Sequence, residues 1–185
     1  MSAALDIAVV GCGHMGNHHL RTVMNHAECR LVAAVDISQE QAVAAGAPYG
    51  VEGRVTVPEG VDAVIIACTT DAHVAVARPL LDLGLWCLIE KPIAATSLLG
   101  ADLVSDRLAV GQIERFNPAV RAAGKMTPQY VEPRRLGTPT GRSVDIDVIM
   151  DLMIHDLDLL LSLSQGEVEQ VEAIGVDVAS GQTDT

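Results

Sequence analysis

Aromatic residues are nearly absent: 185 residues hold one tryptophan (Trp86), one phenylalanine (Phe116) and two tyrosines. The core must therefore be filled by Val, Ile, Leu and Ala, a bias that suits buried parallel strands covered by helices. Basic residues are scarce too, 12 Lys and Arg against 24 Asp and Glu, for a net charge of −12. A phosphate backbone repels such a chain on average, which argues against nucleic acid as a partner. None of Cys12, Cys29, Cys68 and Cys87 forms a C-x-x-C pair, so neither a zinc site nor a redox dithiol is signalled. Three of the four lie in or beside apolar runs, as the reduced, buried thiols of a cytoplasmic protein do. No apolar run is long enough for a membrane helix, and no basic segment leads into a secretory core.

What is present is a globular composition, 49% apolar and 19% charged, ample for a packed core and too apolar for disorder. Apolar strand-like runs at residues 5–10, 30–35, 61–68, 85–89 and 108–110 alternate with helix-like stretches at 17–25, 39–45 and 97–106. A further helix is expected between Asp71, as its cap, and Gly84, as its end, with Pro79 causing a kink or a late start. Residues 46–60, rich in Gly and Pro, read mostly as loop. This alternation predicts an α/β fold with a doubly wound parallel sheet. Gly11, Thr69 and Lys91 each follow the carboxyl end of a strand, so they are expected along one crevice. The pattern changes after Gln112. Residues 124–142 are irregular, 147–163 read as a strong helix and 168–178 as a strand. We therefore expect a nucleotide-binding domain at 1–118 and the start of an α+β substrate domain at 119–185.

Gly11, Gly13 and Gly16 form G-x-G-x-x-G between a strand and a helix, with His14 and Met15 at the helix start. The first glycine allows a tight turn, the second lets backbone approach a pyrophosphate, and the third lets helix and strand pack closely. The helix N-terminus then offers unpaired N–H groups to the phosphates. Asp36 ends the next strand, where a carboxylate accepts bonds from ribose hydroxyls and repels a 2′-phosphate. The expected cofactor is NAD in preference to NADP.

Glu90-Lys91-Pro92 lies at the mouth of the expected crevice, where a lysine can polarise a substrate oxygen; most single lysines are surface groups. Asp151 and His155 are spaced i, i+4 on the last helix, and Asp158 joins the same face. A carboxylate beside an imidazole raises its proton affinity and orients it as a general base, which alcohol oxidation needs. The competing readings are a polar surface face, against which the flanking leucines argue, and a metal pair, for which no third ligand is evident.

In order along the chain stand G-C-G-H-M-G, T-T-D-A-H at residues 69–73, E-K-P at 90–92, E-R-F-N-P at 114–118 and D-L-M-I-H-D-L-D at 151–158. Together they resemble the glucose–fructose oxidoreductase / inositol dehydrogenase / MocA family, over essentially the whole chain. The resemblance implies Lys91, Asp151 and His155 as catalytic residues, with His155 as base. It places Thr69, Thr70 and His73 along the cofactor groove, with Glu90 and Lys91 beside it. It carries Arg115 and Asn117 to the nicotinamide or substrate side. The runs around residues 110–120 and 141–160 are similar to the branch acting on nucleotide sugars, which includes UDP-N-acetylglucosamine 3-dehydrogenases. The implied substrate is a small sugar or nucleotide sugar oxidised at a hydroxyl, C3 of a UDP-N-acetylhexosamine in that branch.

The family's second domain is a large, mostly antiparallel sheet, and here the chain stops after its first helix and strand. Gln112 stands where that branch implies a histidine. A homo-oligomer is expected to cover the surface left open. Three readings follow: an NAD-dependent sugar dehydrogenase, a truncated nucleotide-binding module or pseudoenzyme without turnover, and a Rossmann reductase of another pathway. The third fits E-K-P with D-x-x-x-H least well.

Overall fold

The structure, a computed structural model, describes residues 4–124, 127–135, 148–164 and 166–177. The chain divides into two compact units, Met1–Gly111 and Gln112–Thr185.

The first unit is a six-stranded, all-parallel sheet. Its strands are β1 (Leu5–Val10), β2 (Cys29–Val35), β3 (Glu52–Arg54), β4 (Ala63–Ile66), β5 (Trp86–Glu90) and β6 (Leu108–Gly111), in the order β3-β2-β1-β4-β5-β6. Helices α1 (His14–Met24), α2 (Gln39–Gly46), α3 (His73–Asp82) and α4 (Ser97–Gly100) connect them. The expected doubly wound sheet is thus present. The strand order reverses between β1 and β4, and ligands of such sheets bind at that switch point, beyond the strands' carboxyl ends.

The aliphatic composition fills two cores, one on each face. Ile7, Val9, Leu31 and Ile65 pack with Leu20 and Val23 of α1, while Ala8, Val10, Val64, Ile66 and Ile89 pack with Ala77 and Leu80 of α3. Alternation along each strand sends neighbours to opposite cores. In β2 the alternation slips. The register moves from Ile7↔Leu31 to Ala8↔Ala33, leaving Val32 as an extra residue. That bulge lets both Leu31 and Ala34 reach the α1 face.

Three expectations are revised in this unit. The 46–60 loop contains β3, whose Glu-Gly-Arg sequence has no apolar alternation to reveal it. It forms because β2 offers a free edge and because α2 lies so close that a Cβ on Gly53 would come 2.2 Å from the Val43 nitrogen. Asp71 makes no side-chain cap. A 3-10 turn at Thr70–Ala72 precedes α3, which carries Pro79 within it and starts late, at His73, one of the two outcomes expected of that proline. α4 ends at Gly100 instead of continuing to 106, after a start capped by Thr96, whose Oγ1 accepts from the Leu99 N–H at 3.3 Å.

α3 ends as expected. Gly84 is left-handed (φ +79°), with Gly84 N–H donating to Leu81 O at 2.8 Å and Leu85 N–H to Leu80 O at 3.1 Å. That is a Schellman closure, with Leu85 folded onto the same core as Leu80.

In the second unit a short 3-10 turn (Ile113–Phe116) leads into α5 (Pro118–Ala123), and a π-helical turn (Ile149–Met153) runs into α6 (Ile154–Leu163). Two expectations change here as well. The helix over 147–163 begins, in its described part, as a π turn. Residues 168–177 form no strand among the described residues, because a strand needs a ladder partner to satisfy its N–H and C=O groups. Positions 147 and 178 of those two expectations lie outside the described residues. No helix among the described residues is long and apolar enough to cross a membrane.

Candidate functional site

The glycine turn sits where β1 gives way to α1. Gly11 has φ +91°, and a Cβ there would lie 2.4 Å from the Cys68 nitrogen, at the end of β4. A Cβ on Gly16 would lie 1.7 Å from the Gly11 carbonyl oxygen, so only glycine lets α1 start against the turn. Gly13 differs from both. Its φ of −73° and ψ of −158° suit any residue, and a Cβ would meet nothing within 4 Å. Among the described residues no neighbour requires glycine at position 13, and the bare backbone there is open to an incoming group. The turn is built to expose donors on that side. Asn17 Nδ2 donates to the Cys12 and Gly13 carbonyls at 2.8 and 2.9 Å, occupying acceptors. His14 and Met15, both exposed, open α1 with first-turn N–H groups that no helical carbonyl can satisfy. These residues fit a dinucleotide pyrophosphate.

Asp36, half-buried after β2, faces this turn. Its Oδ2 accepts the Cys12 N–H at 2.8 Å and its Oδ1 the Ser38 N–H at 3.0 Å. The carboxylate fixes the turn's geometry while keeping lone pairs for further donors. It also acts on its neighbour: burial, with the Asp36 charge added, pushes the Cys12 thiol up to about 11. Cys12 is therefore a protonated core group whose Sγ lies 3.5 Å from the Val35 carbonyl.

Thr69 is exposed and Thr70 half-buried, in the turn after β4. His73 is enclosed (1% exposed), its Nδ1 2.9 Å from the Pro92 carbonyl and its Nε2 3.2 Å from the Cys68 carbonyl. The structure places it as a brace between the β4 and β5 loops. Lys91 is half-buried directly after β5, and the Lys91–Pro92 peptide is cis. Glu90 turns into the protein, with its Oε1 2.7 Å from His19 Nε2 on α1. His19 was not singled out by its sequence position, because its partner lies 71 residues away.

In the second unit, E-R-F-N-P and D-x-x-x-H-x-x-D are joined. Arg115 grips Asp158 with two bonds, Nε–Oδ2 at 2.7 Å and Nη2–Oδ1 at 2.6 Å. The carboxylate in turn stabilises the Arg115 charge. Asn117 Oδ1 accepts the Ala119 N–H at 2.9 Å, capping α5, while Nδ2 donates to Glu114 at 2.9 Å. Arg135 reaches Asp156 at 2.9 Å and Glu114 at 3.6 Å. His155 is buried at the start of α6, and Asp151, half-buried, lies in the π turn. The pair therefore spans a π-to-α junction instead of one regular α-turn. π turns are rare and concentrate at functional sites.

A parallel sheet in this order, with a glycine turn at its switch point and a carboxylate ending the second strand, defines the dinucleotide-binding class of α/β protein. The sequence pattern of an oxidoreductase family with an NAD-binding Rossmann fold matches residues 5–107, and the chain belongs to that family, named for glucose–fructose oxidoreductase, inositol dehydrogenase and MocA. The chain is 39% identical, over 95% of its length and 59% of the relative's, to the UDP-N-acetylglucosamine 3-dehydrogenase of Acidithiobacillus ferrooxidans. It is 29% identical to an inositol 2-dehydrogenase of Rhizobium meliloti, over 94% and 60% of the two chains. A solved structure of the Acidithiobacillus enzyme matches with TM-score 0.88 at 36% identity, covering 99% of this chain and 64% of that one. A myo-inositol dehydrogenase from Lactobacillus casei, in complex with NAD(H) and myo-inositol, shares the fold with TM-score 0.71 at 24% identity, over 86% and 54% of the two chains. The chain spans about three-fifths of the length of the curated relatives it matches.

Proposed function

We propose that the protein is an NAD-dependent dehydrogenase that oxidises a sugar hydroxyl, with C3 of a UDP-N-acetylhexosamine as the preferred substrate position. The observation that carries the cofactor half is Gly13, a glycine whose missing Cβ faces open space. The substrate half rests on the 39% identity to a UDP-N-acetylglucosamine 3-dehydrogenase across 95% of this chain.

In this reading Gly11, Gly13, His14, Met15 and Gly16 hold the pyrophosphate, and Thr69 and Thr70 line the groove. Asp36 accepts from the ribose hydroxyls, and its charge opposes a 2′-phosphate, which favours NAD over NADP. Bound NAD supplies the hydride acceptor. His155 takes the hydroxyl proton, Asp151 favours the imidazolium that results, and the Lys91 ammonium stabilises the developing alkoxide.

The test is an NADH fluorescence titration followed by a turnover screen with UDP-sugars and cyclitols. His155→Ala is expected to abolish NADH production while leaving NADH affinity within about twofold. Turnover unchanged in that variant removes His155 from the mechanism. A second reading, a nucleotide-binding module without turnover, draws on the internal engagement of Arg115 with Asp158 and of Asn117 with Glu114. It expects saturable NADH binding and no NADH production with any substrate tried.

A further inference from the structure

His19 belongs to no motif, yet it meets the E-K-P segment directly, and what it meets is arranged around the contact. In β5, Cys87 and Ile89 face the α3 core, while Leu88 packs against the α1 core. Glu90 follows in phase with Leu88, so its side chain emerges on the α1 face. There its Oε1 lies 2.7 Å from His19 Nε2, with both side chains largely out of solvent, at 15% and 18% exposure. A carboxylate oxygen only accepts, so the ring proton sits on Nε2 and donates. The far side of Glu90 is shaped as well. Gly111 pairs with Glu90 across β5 and β6, and a Cβ there would lie 3.1 to 3.2 Å from the Glu90 carboxylate atoms. The glycine leaves the carboxylate room to reach His19. The next residues are held from the other face, where the enclosed His73 ring takes the Pro92 carbonyl at 2.9 Å. Lys91 is thus flanked by two residues, each held by a histidine from a different helix: Glu90 through its carboxylate and Pro92 through its backbone carbonyl.

We propose that His19 is a positioning residue for Lys91, acting through Glu90. It ties α1, the helix that opens at the glycine turn, to the lysine-bearing loop. The inference rests on the reading of Lys91 as catalytic only for its effect on turnover; the strut itself can be measured without turnover. The chain has two lysines, Lys91 and Lys125, so reductive 13C-methylation gives two side-chain signals, assigned with Lys91→Arg, and Lys125 serves as an internal control.

The Lys91 methyl resonance is expected to move in His19→Leu while the Lys125 resonance stays. It should return in His19→Gln, whose side-chain amide restores a donor. Gly111→Ala, which crowds Glu90 without touching His19, is expected to move the same resonance and gives the reading if His19→Leu fails to fold. On unmethylated enzyme, kcat should fall about tenfold in His19→Leu and recover in His19→Gln, with KM and NADH affinity within about twofold. A Lys91 resonance that coincides with wild type in His19→Leu and Gly111→Ala overturns the strut. So does one equally displaced in His19→Leu and His19→Gln. A resonance that moves as expected, with turnover indifferent to Lys91→Arg, keeps the strut and removes Lys91 from the chemistry.

Discussion

The glycines of the turn are constrained for different reasons, and substitution separates them. Gly16→Ala puts a Cβ 1.7 Å from a carbonyl oxygen that cannot move without opening the turn. We expect a loss of about 3 kcal/mol in urea unfolding, the size of a severe overpacking defect. Gly13→Ala meets nothing within 4 Å and keeps an ordinary backbone conformation. Its stability should stay within about 0.5 kcal/mol of wild type. Its NADH affinity should fall about tenfold, because the methyl occupies the space that bare backbone leaves for phosphate. Equal NADH affinity in Gly13→Ala and wild type would remove the turn from the cofactor site. In the proposed reading Asp36 has two duties, opposing a 2′-phosphate and accepting the Cys12 N–H, the latter at 2.8 Å. Asp36→Ser is therefore expected to relax the preference for NADH over NADPH and to weaken NADH binding too. A wild-type protein that already prefers NADPH would overturn the cofactor assignment.

Among the elements, α3 shows what local signals fix and what they miss. Gly84 was legible as a terminator because the closing turn needs a positive φ, and the structure gives it +79°. Gly84→Ala should cost about 1 kcal/mol, read as a lower thermal midpoint with the fold unchanged. The start of α3 was less legible. Asp71 is a good cap residue in isolation, but the 3-10 turn at Thr70–Ala72 shifts the first α-turn to His73. His73 thereby reaches two loop carbonyls from inside the protein. β3 had no readable signal, since three residues without alternation become a strand only when a neighbouring edge accepts them. The π turn at Ile149–Met153 was equally hidden, because i, i+4 spacing reads the same in the sequence whether the helix is regular or wider.

Across the whole molecule, burial controls the thiol chemistry. Desolvation pushes Cys12 and Cys87 up to about 11, from an ordinary value of 9.0. Below about pH 9 both thiols are protonated in the folded and unfolded chain, and the stability linked to them is fully present. Between about pH 9 and 11 the unfolded chain releases these protons while the folded one holds them, so stability falls as pH rises through that window. Urea midpoints measured at pH 8, 9.5 and 10.5 should decline in that order, and Cys12→Ala together with Cys87→Ala should flatten the decline. An equally steep decline in the double variant would assign it to other groups.

The sequence by itself determined the parallel sheet, the glycine turn and the acidic residue after the second strand. Each of these depends on local backbone demands: an aliphatic run, a positive φ, a close approach of helix to strand. It also carried the motif order that marks the family. Only the tertiary structure decided which motif residues are spent inside the protein. Glu90 faces His19, Arg115 grips Asp158, Asn117 caps its own helix, and His73 braces two loops. A polar side chain's role depends on the partner that burial brings to it, and for His19 and Glu90 that partner is 71 residues away.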